Sequence, residues 1–216
     1  MLLERCRLGG RDRALTFPAD DPRHAAFEAA WWGDCTLTWS EEWKQQVYLH
    51  RMGVVQTSLG EQWPVYRVAA QSVIDIGGGP VSPLLKTLGV RRGVVVDPGI
   101  YPDWTIARYT GSGIEVVRAA AEVTLPLYGD DEFDEAWIMN CLQHVIDPEK
   151  IAVEAARIAK LVRVFEWVGH GVSLGHPHTL NSEDLDRWLG GHGTVEQINE
   201  HGCVGTCYSG VFTTEA

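Results

Sequence analysis

Two apolar runs of strand length, SVIDI at Ser72–Ile76 and RGVVV at Arg92–Val96, lack the alternation of a half-exposed strand, so both are read as strands covered on both faces of a sheet. The first runs into Gly77, Gly78 and Gly79, which let the backbone turn sharply and leave room for a group to lie against it. Leu84, Leu85 and Leu88 are then spaced for one apolar helix face, with Pro83 in the first turn and Gly89 as the stop. The pattern therefore predicts strand, glycine loop and helix over 72–88. Further strands are expected at Ile114–Val117, Ala136–Met139 and Leu161–Trp167, with a short helix around Trp104–Tyr109. Asp147, Pro148 and Glu149 start a helix that buries Ile151, Ala155 and Ile158, and Asn181 with Asp184 starts a shorter one that buries Leu185, Trp188 and Leu189. Thr194–Ile198 and Thr206–Thr213 have no helix between them and read as an antiparallel edge.

Before Ser72 the signals are helical. Pro22–Trp32 is rich in alanine, and Thr38 with Glu41 forms a capping box for a helix running to about Met52. Gln56–Ala70, with Gly60 and Pro64, reads as the connection into the sheet, and Met1–Asp21 as partly ordered at best. This divides the chain into an N-terminal helical cap or extension, 1–70, and a main α/β domain, 71–216.

The chain of 216 residues can bury one sizeable core, and its 45% apolar and 22% charged residues are those of an ordinary globular protein. A formal net charge of -11 argues against a partner met through many phosphate contacts. Nine tryptophans are a heavy load for this length, and some are expected to line a pocket while others pack the edge of the core. Five cysteines without framework spacing point to a reduced, cytoplasmic protein. No secretory or membrane-spanning run is present.

The chemistry concentrates at the carboxyl ends of the expected strands, where ligands bind in open α/β sheets. The glycine loop suits a carboxylate, a phosphate or a nucleotide-like ligand, or is a crossover without one. Asp97, about twenty residues on, stands where such folds place an acid on the ribose hydroxyls. No Gly-Lys-Ser/Thr follows the glycines, which argues against a nucleoside triphosphatase. No Tyr-x-x-x-Lys pair occurs, which disfavours a nicotinamide-dependent reductase or epimerase.

From Ser72 to its end the chain resembles the class I S-adenosylmethionine (SAM)-dependent methyltransferases. VIDIGGG matches the family's first motif, Asp97 in VVVDPG its second, and FDEAWIMNCLQHVIDP its fourth, with a Leu142-Gln143-His144 step. The resemblance implies a three-layer Rossmann-like fold with a seven-stranded, mostly parallel sheet of order 3-2-1-4-5-7-6, strand seven antiparallel. It also implies SAM as cofactor and S-adenosylhomocysteine as product. Asp75, Gly77, Gly78 and Gly79 would hold the amino-acid end, Asp97 and Pro98 the ribose, and Ala121, Glu122, Asn140 and Cys141 would complete the cofactor site. The chain departs from the family at Val81, where another glycine is usual, and at Ala120, where the third strand's adenine-binding acid would fall and either Glu122 or a backbone group alone would take its place.

Methyl transfer asks the protein for alignment, exclusion of water and sometimes a base. His144 is the leading base, its alternative being a helix-start histidine bonded to backbone. His170, His176 and His178, with Glu166 and Trp167, are read as facing the acceptor, with plain structural use as the alternative. Cys203 and Cys207 could join these histidines in a metal site, but the spacing is irregular and no metal is expected. Trp31, Trp32, Trp39, Lys44 and Tyr48 are the cap's candidates for closing the pocket. The expected acceptor is a small molecule or a short peptide-like one, with no membrane partner and the oligomeric state open. A non-catalytic nucleoside-binding relative and a nucleic-acid methyltransferase are the alternatives. The second is disfavoured by acidity and by the absence of an Asn/Asp-Pro-Pro-Tyr/Phe motif.

Overall fold

The computed structural model describes residues 21–35, 38–57 and 64–214. The expectations for Met1–Asp20, for Gly60 and for the side chains of Thr38 and Trp39 lie outside the described residues. In chain order the helices are α1 (Pro22–Trp32), α2 (Thr38–Arg51), α3 (Asp103–Gly111), α4 (Ala121–Thr124), α5 (Pro148–Ile158) and α6 (Ser182–Leu189). The strands are β1 (Val55–Gln56), β2 (Tyr66–Arg67), β3 (Ser72–Ile76), β4 (Thr87–Leu88), β5 (Arg92–Val96), β6 (Ile114–Val117), β7 (Glu135–Met139), β8 (Leu161–Trp167), β9 (Thr194–Glu200) and β10 (Cys203–Thr213).

The main sheet has seven strands in the order β6-β5-β3-β7-β8-β10-β9. The first five run parallel, and β10 is antiparallel to both neighbours. This is the expected order and the expected antiparallel strand. β9 and β10 are joined through His201 (φ 47°) and Gly202 (φ 77°), the two positive-φ positions that a tight hairpin turn requires.

Alternation within the buried strands sends side chains to two cores. Ile74, Ile76, Val94, Val96, Ala136 and Ile138 pack beneath α5 and α6, where Ile151, Ala155, Ile158 and Leu185 are fully buried. Val73, Val95, Trp137 and Phe165 face the other way, against Tyr48 and Met52 at the end of α2 and Tyr109 of α3. On this second face Arg163 donates from Nε and Nη2 to the Glu135 carboxylate at 2.7 and 3.0 Å and from Nη1 to the Met52 carbonyl at 2.7 Å. That ion pair joins the sheet to the end of α2. Asp147 caps α5 by accepting from the Lys150 N–H at 3.0 Å, and Asn181 caps α6 by accepting from Asp184 N–H at 2.9 Å, as the sequence predicts.

The expected helix over 82–88 does not form. Gly79–Val81 and Pro83–Lys86 are 3-10 turns, followed by β4, which pairs in parallel with β2 in a small β1-β2-β4 sheet. Pro80 and Pro83 lack N–H groups, and Leu88 is 47% exposed, so the leucine spacing has no core to face along its whole length.

Candidate active site

The carboxyl ends of β3, β5, β6, β7 and β8 open onto two adjoining cavities, of about 510 and 310 Å³. Glu28, Trp32, Glu41, Tyr48, Asn140 and His144 line both, so this is where the two meet. α1 and α2 supply four of these six, and the turn after β7 supplies Asn140 and His144.

The larger cavity is floored by the glycine loop. Gly77 has φ +72°, and a Cβ there would lie 2.5 Å from that of Cys141, so the position excludes any side chain. Asp97 sits at the end of β5 in the cavity wall. Its Oδ2 accepts from Gly79 N–H at 3.0 Å, and its Oδ1 accepts from Gly99 N–H at 2.7 Å and from the Tyr101 hydroxyl at 2.6 Å. Burial raises its pKa, and these hydrogen bonds oppose the rise. Three donors leave a carboxylate with capacity for at least one more. Pro98, Ala121, Glu122, Asn140 and Cys141 are in the same wall. Glu122 also has a structural duty, since its Oε1 accepts from Ile146 N–H at 2.9 Å and Asp147 N–H at 3.2 Å. The Cys141 thiol is buried, and burial holds its pKa well above the usual value.

Two acids sit below the cavities and line neither. Asp75 is fully buried, accepts from the Ser82 hydroxyl through Oδ2, and leaves Oδ1 without a partner. It shapes the loop from beneath. Glu166, read from the sequence as facing the acceptor, is also fully buried, and its Oε1 accepts from Cys141 N–H at 2.8 Å and Leu142 N–H at 2.9 Å. Its role is to fix the turn that carries Asn140 and His144. Burial lifts both carboxyl pKa values to about 7.

In the smaller cavity His144, His170 and His176 come together with Trp31, Lys44 and Trp167. His144 Nδ1 lies 3.2 Å from Glu28 Oε1, and the His144 and His176 rings meet edge to face at 4.8 Å. Burial lowers the His176 pKa to about 4. His178 is not in this group: its Nε2 donates to the Val145 carbonyl at 2.7 Å and it lines neither cavity. Among the described residues no set of three or more His, Cys, Asp or Glu is placed to hold a metal, and Cys203 and Cys207 lie along β10. Nor is any described helix long and apolar enough to cross a membrane.

Phe27, Glu28 and Gln45 are wall residues that the sequence did not single out. Gln45 Nε2 donates to the Val81 carbonyl at 2.8 Å, while its Oε1 is buried without a partner beside the glycine loop. The available signal was helical spacing, since Glu41, Gln45 and Tyr48 share one face of α2.

The raised carboxyl pKa values give a pH signature. Between the usual carboxylate range and about pH 7 the folded protein holds protons on Asp75 and Glu166 that the unfolded chain releases, so stability falls as pH rises through that window. His176 works in the opposite sense between about pH 4 and its usual value, but it is one group against two. The melting temperature is expected to fall from about pH 5 to about pH 8, and more shallowly in Glu166→Gln, which keeps the accepting Oε1. A melting temperature that rises across that range would contradict the assignment.

The sequence model of a family described as "Methionine biosynthesis protein MetW" matches residues 66–172. No curated protein matches the chain. Among solved structures, a SAM-dependent methyltransferase from Thermotoga maritima aligns with TM-score 0.54 and 19% identity over 83% of this chain and 96% of its own. A chain from the complex of the Haloferax volcanii Trm112 methyltransferase activator with a methyltransferase aligns with TM-score 0.56 and 17% identity over 96% and 100%. Burkholderia thailandensis 1,6-didemethyltoxoflavin-N1-methyltransferase, with 1,6-didemethyltoxoflavin and S-adenosylhomocysteine bound, aligns with TM-score 0.54 and 16% identity over 95% and 94%. The fold is that of the class I SAM-dependent methyltransferases.

Proposed function

We propose that the protein is a SAM-dependent methyltransferase acting on a small-molecule acceptor. The observation that carries this reading is the pair of adjoining cavities at the carboxyl edge of the sheet, one floored by a glycine loop and Asp97, the other lined with histidine and aromatic rings, meeting at Asn140 and His144. The likeness to a small-molecule enzyme with S-adenosylhomocysteine bound supports it.

The residues fit the cofactor. Asp97 has acceptor capacity to spare for ribose hydroxyls. The orphaned Gln45 Oε1, buried in the wall beside Gly77–Gly79, suits the ammonium of an amino-acid end, a role the sequence reading gave to Asp75. Ala121 and Glu122 follow the end of β6, where the adenine belongs. When bound, SAM supplies a methyl group already activated on a sulfonium. The chain's own part is then to orient the acceptor, exclude water and accept a proton. α1 and α2, from the segment before the sheet, cover both cavities. His144 is the base, and Glu28, at 3.2 Å from its Nδ1, holds the ring.

Titration calorimetry with S-adenosylhomocysteine tests the cofactor assignment. A charge-assisted hydrogen bond contributes about 1.5–3 kcal/mol, so Asp97→Ala is expected to weaken binding by about tenfold or more. Equal affinity in both proteins, or binding of NAD in its place, would overturn the assignment.

A further inference from the structure

The smaller cavity has a lining specific enough to name a class of acceptor. Phe27 and Trp31 of α1 stack at 6.1 Å, and Tyr48 of α2 meets Trp167 of β8 edge to face at 6.2 Å. All four rings line the cavity. Trp32 is a fifth, at the junction with the larger cavity. Among these rings stand two carboxylates, Glu28 and Glu41. Among the described residues Lys44 is the one lysine or arginine in the lining, and its ammonium is paired with Glu41 at 2.6 Å. Glu28 has no lysine or arginine partner among the described residues; its contact is the His144 ring. His176, with its pKa near 4, stays neutral at neutral pH and adds no positive charge.

Aromatic faces carry negative potential and attract cations, most strongly where water is excluded. A carboxylate beside them adds to that attraction, whereas an anionic ligand would meet Glu28 and Glu41 as like charges. A volume of about 310 Å³ is at the small end of ligand pockets and has no room for a folded peptide or a duplex.

We propose that the acceptor is a compact organic cation, an amine on a flat apolar body, whose ammonium sits beside Glu28 at the junction and whose body lies among Phe27, Trp31, Tyr48 and Trp167. This deepens the methyltransferase reading and rests on it. The position explains why the ammonium meets the base: Glu28 and His144 are in contact, and both reach the cofactor side. Before its nitrogen can accept a methyl group the ammonium must lose a proton. One N–H bond breaks, the electron pair stays on nitrogen, and the proton passes to the His144 ring.

Three probes of one shape and three charge states test this: phenethylamine, phenethyl alcohol and 3-phenylpropionate, each titrated into the full-length protein with and without saturating S-adenosylhomocysteine. Phenethylamine is expected to bind at least tenfold tighter than the alcohol, and 3-phenylpropionate more weakly than either. Glu28→Gln is expected to reduce amine affinity five- to tenfold while leaving the alcohol unchanged. Equal or tighter binding of the alcohol or the carboxylate by the wild-type protein, or binding of none of the three, overturns the proposal without recourse to any variant. Failure of the cofactor to bind sinks the methyltransferase reading separately, because the amine preference is read without turnover and in the cofactor-free protein as well.

Discussion

Replacing His144 by asparagine is expected to lower turnover by roughly 10²- to 10⁴-fold while leaving cofactor affinity nearly unchanged. The substitution is chosen so that the backbone duties of the residue survive. His144 N–H donates to the Cys141 carbonyl at 2.9 Å, and its own carbonyl faces His24 Nε2 at 2.8 Å, tying α1 to the turn. Asparagine keeps both groups and removes the imidazole, which Glu28 holds through Nδ1. What is lost is the ring proposed as proton acceptor at the meeting of the two cavities. The loss should shrink at high pH, where the acceptor deprotonates unaided, and that slope separates a base from a residue that only shapes the turn. Turnover within about threefold of wild type at neutral pH would remove His144 from the mechanism.

Glu135→Ala is expected to destabilise the protein by about 3 kcal/mol, the low end for a buried pair, because it leaves the partly buried Arg163 guanidinium without its counter-charge. Glu135 is 5% exposed and accepts from Arg163 and from the Trp137 indole N–H, the latter at 2.8 Å. Arg163 in turn holds the Met52 carbonyl at the end of α2. Removing the carboxylate therefore strands two donors and loosens the helix that carries Glu41, Gln45 and Tyr48 into the cavities. Chemical denaturation measures the loss. The double replacement of Glu135 and Arg163 by methionine should recover most of it, since a well-packed apolar pair replaces a buried ion pair at little cost. No recovery would place the effect in strand packing rather than in unpaired charge.

The strands were legible because five of the seven in the main sheet are short apolar runs at regular spacing and two without a helix between them close the chain, whereas their order came only with the family resemblance carried by the motifs at 73–79, 94–99 and 133–148. The places of Asp97 and His144 at the sheet's carboxyl edge were legible too, since each follows such a run. The helix expected after the glycines was not. Leu84 and Leu85 face inward, but two prolines and a partner strand, β2, divert the chain before a second turn can form. Asp75 and Glu166 show another limit. A carboxylate on a buried strand can rise to a ligand or bond the backbone beside it, and sequence spacing is the same in both cases. His178 was grouped with His176 by proximity along a loop, yet one ring bonds a carbonyl and the other lines the cavity. Phe27, Glu28 and Gln45 belong to helices far from the motifs in sequence, and only tertiary packing brings them over the sheet.

The pair of 3-10 turns after the glycines has an electrostatic consequence. An α-helix in that place would present unpaired N–H groups and about half a positive charge to a diphosphate. Here the donors are committed inward: Gly79 N–H to Asp97, Ser82 N–H to the Tyr109 hydroxyl at 2.7 Å, Leu84 N–H to the Ser82 hydroxyl at 3.2 Å. Pro80 and Pro83 contribute none. With Asp97 beside the loop, a ligand bridged by phosphates meets a carboxylate and finds the N–H groups of Gly79, Ser82 and Leu84 already taken. On the proposed cofactor assignment, the floor is expected to select by linker, disfavouring nicotinamide and flavin dinucleotides at their diphosphate and accepting a nucleoside joined to its second half through sulfur.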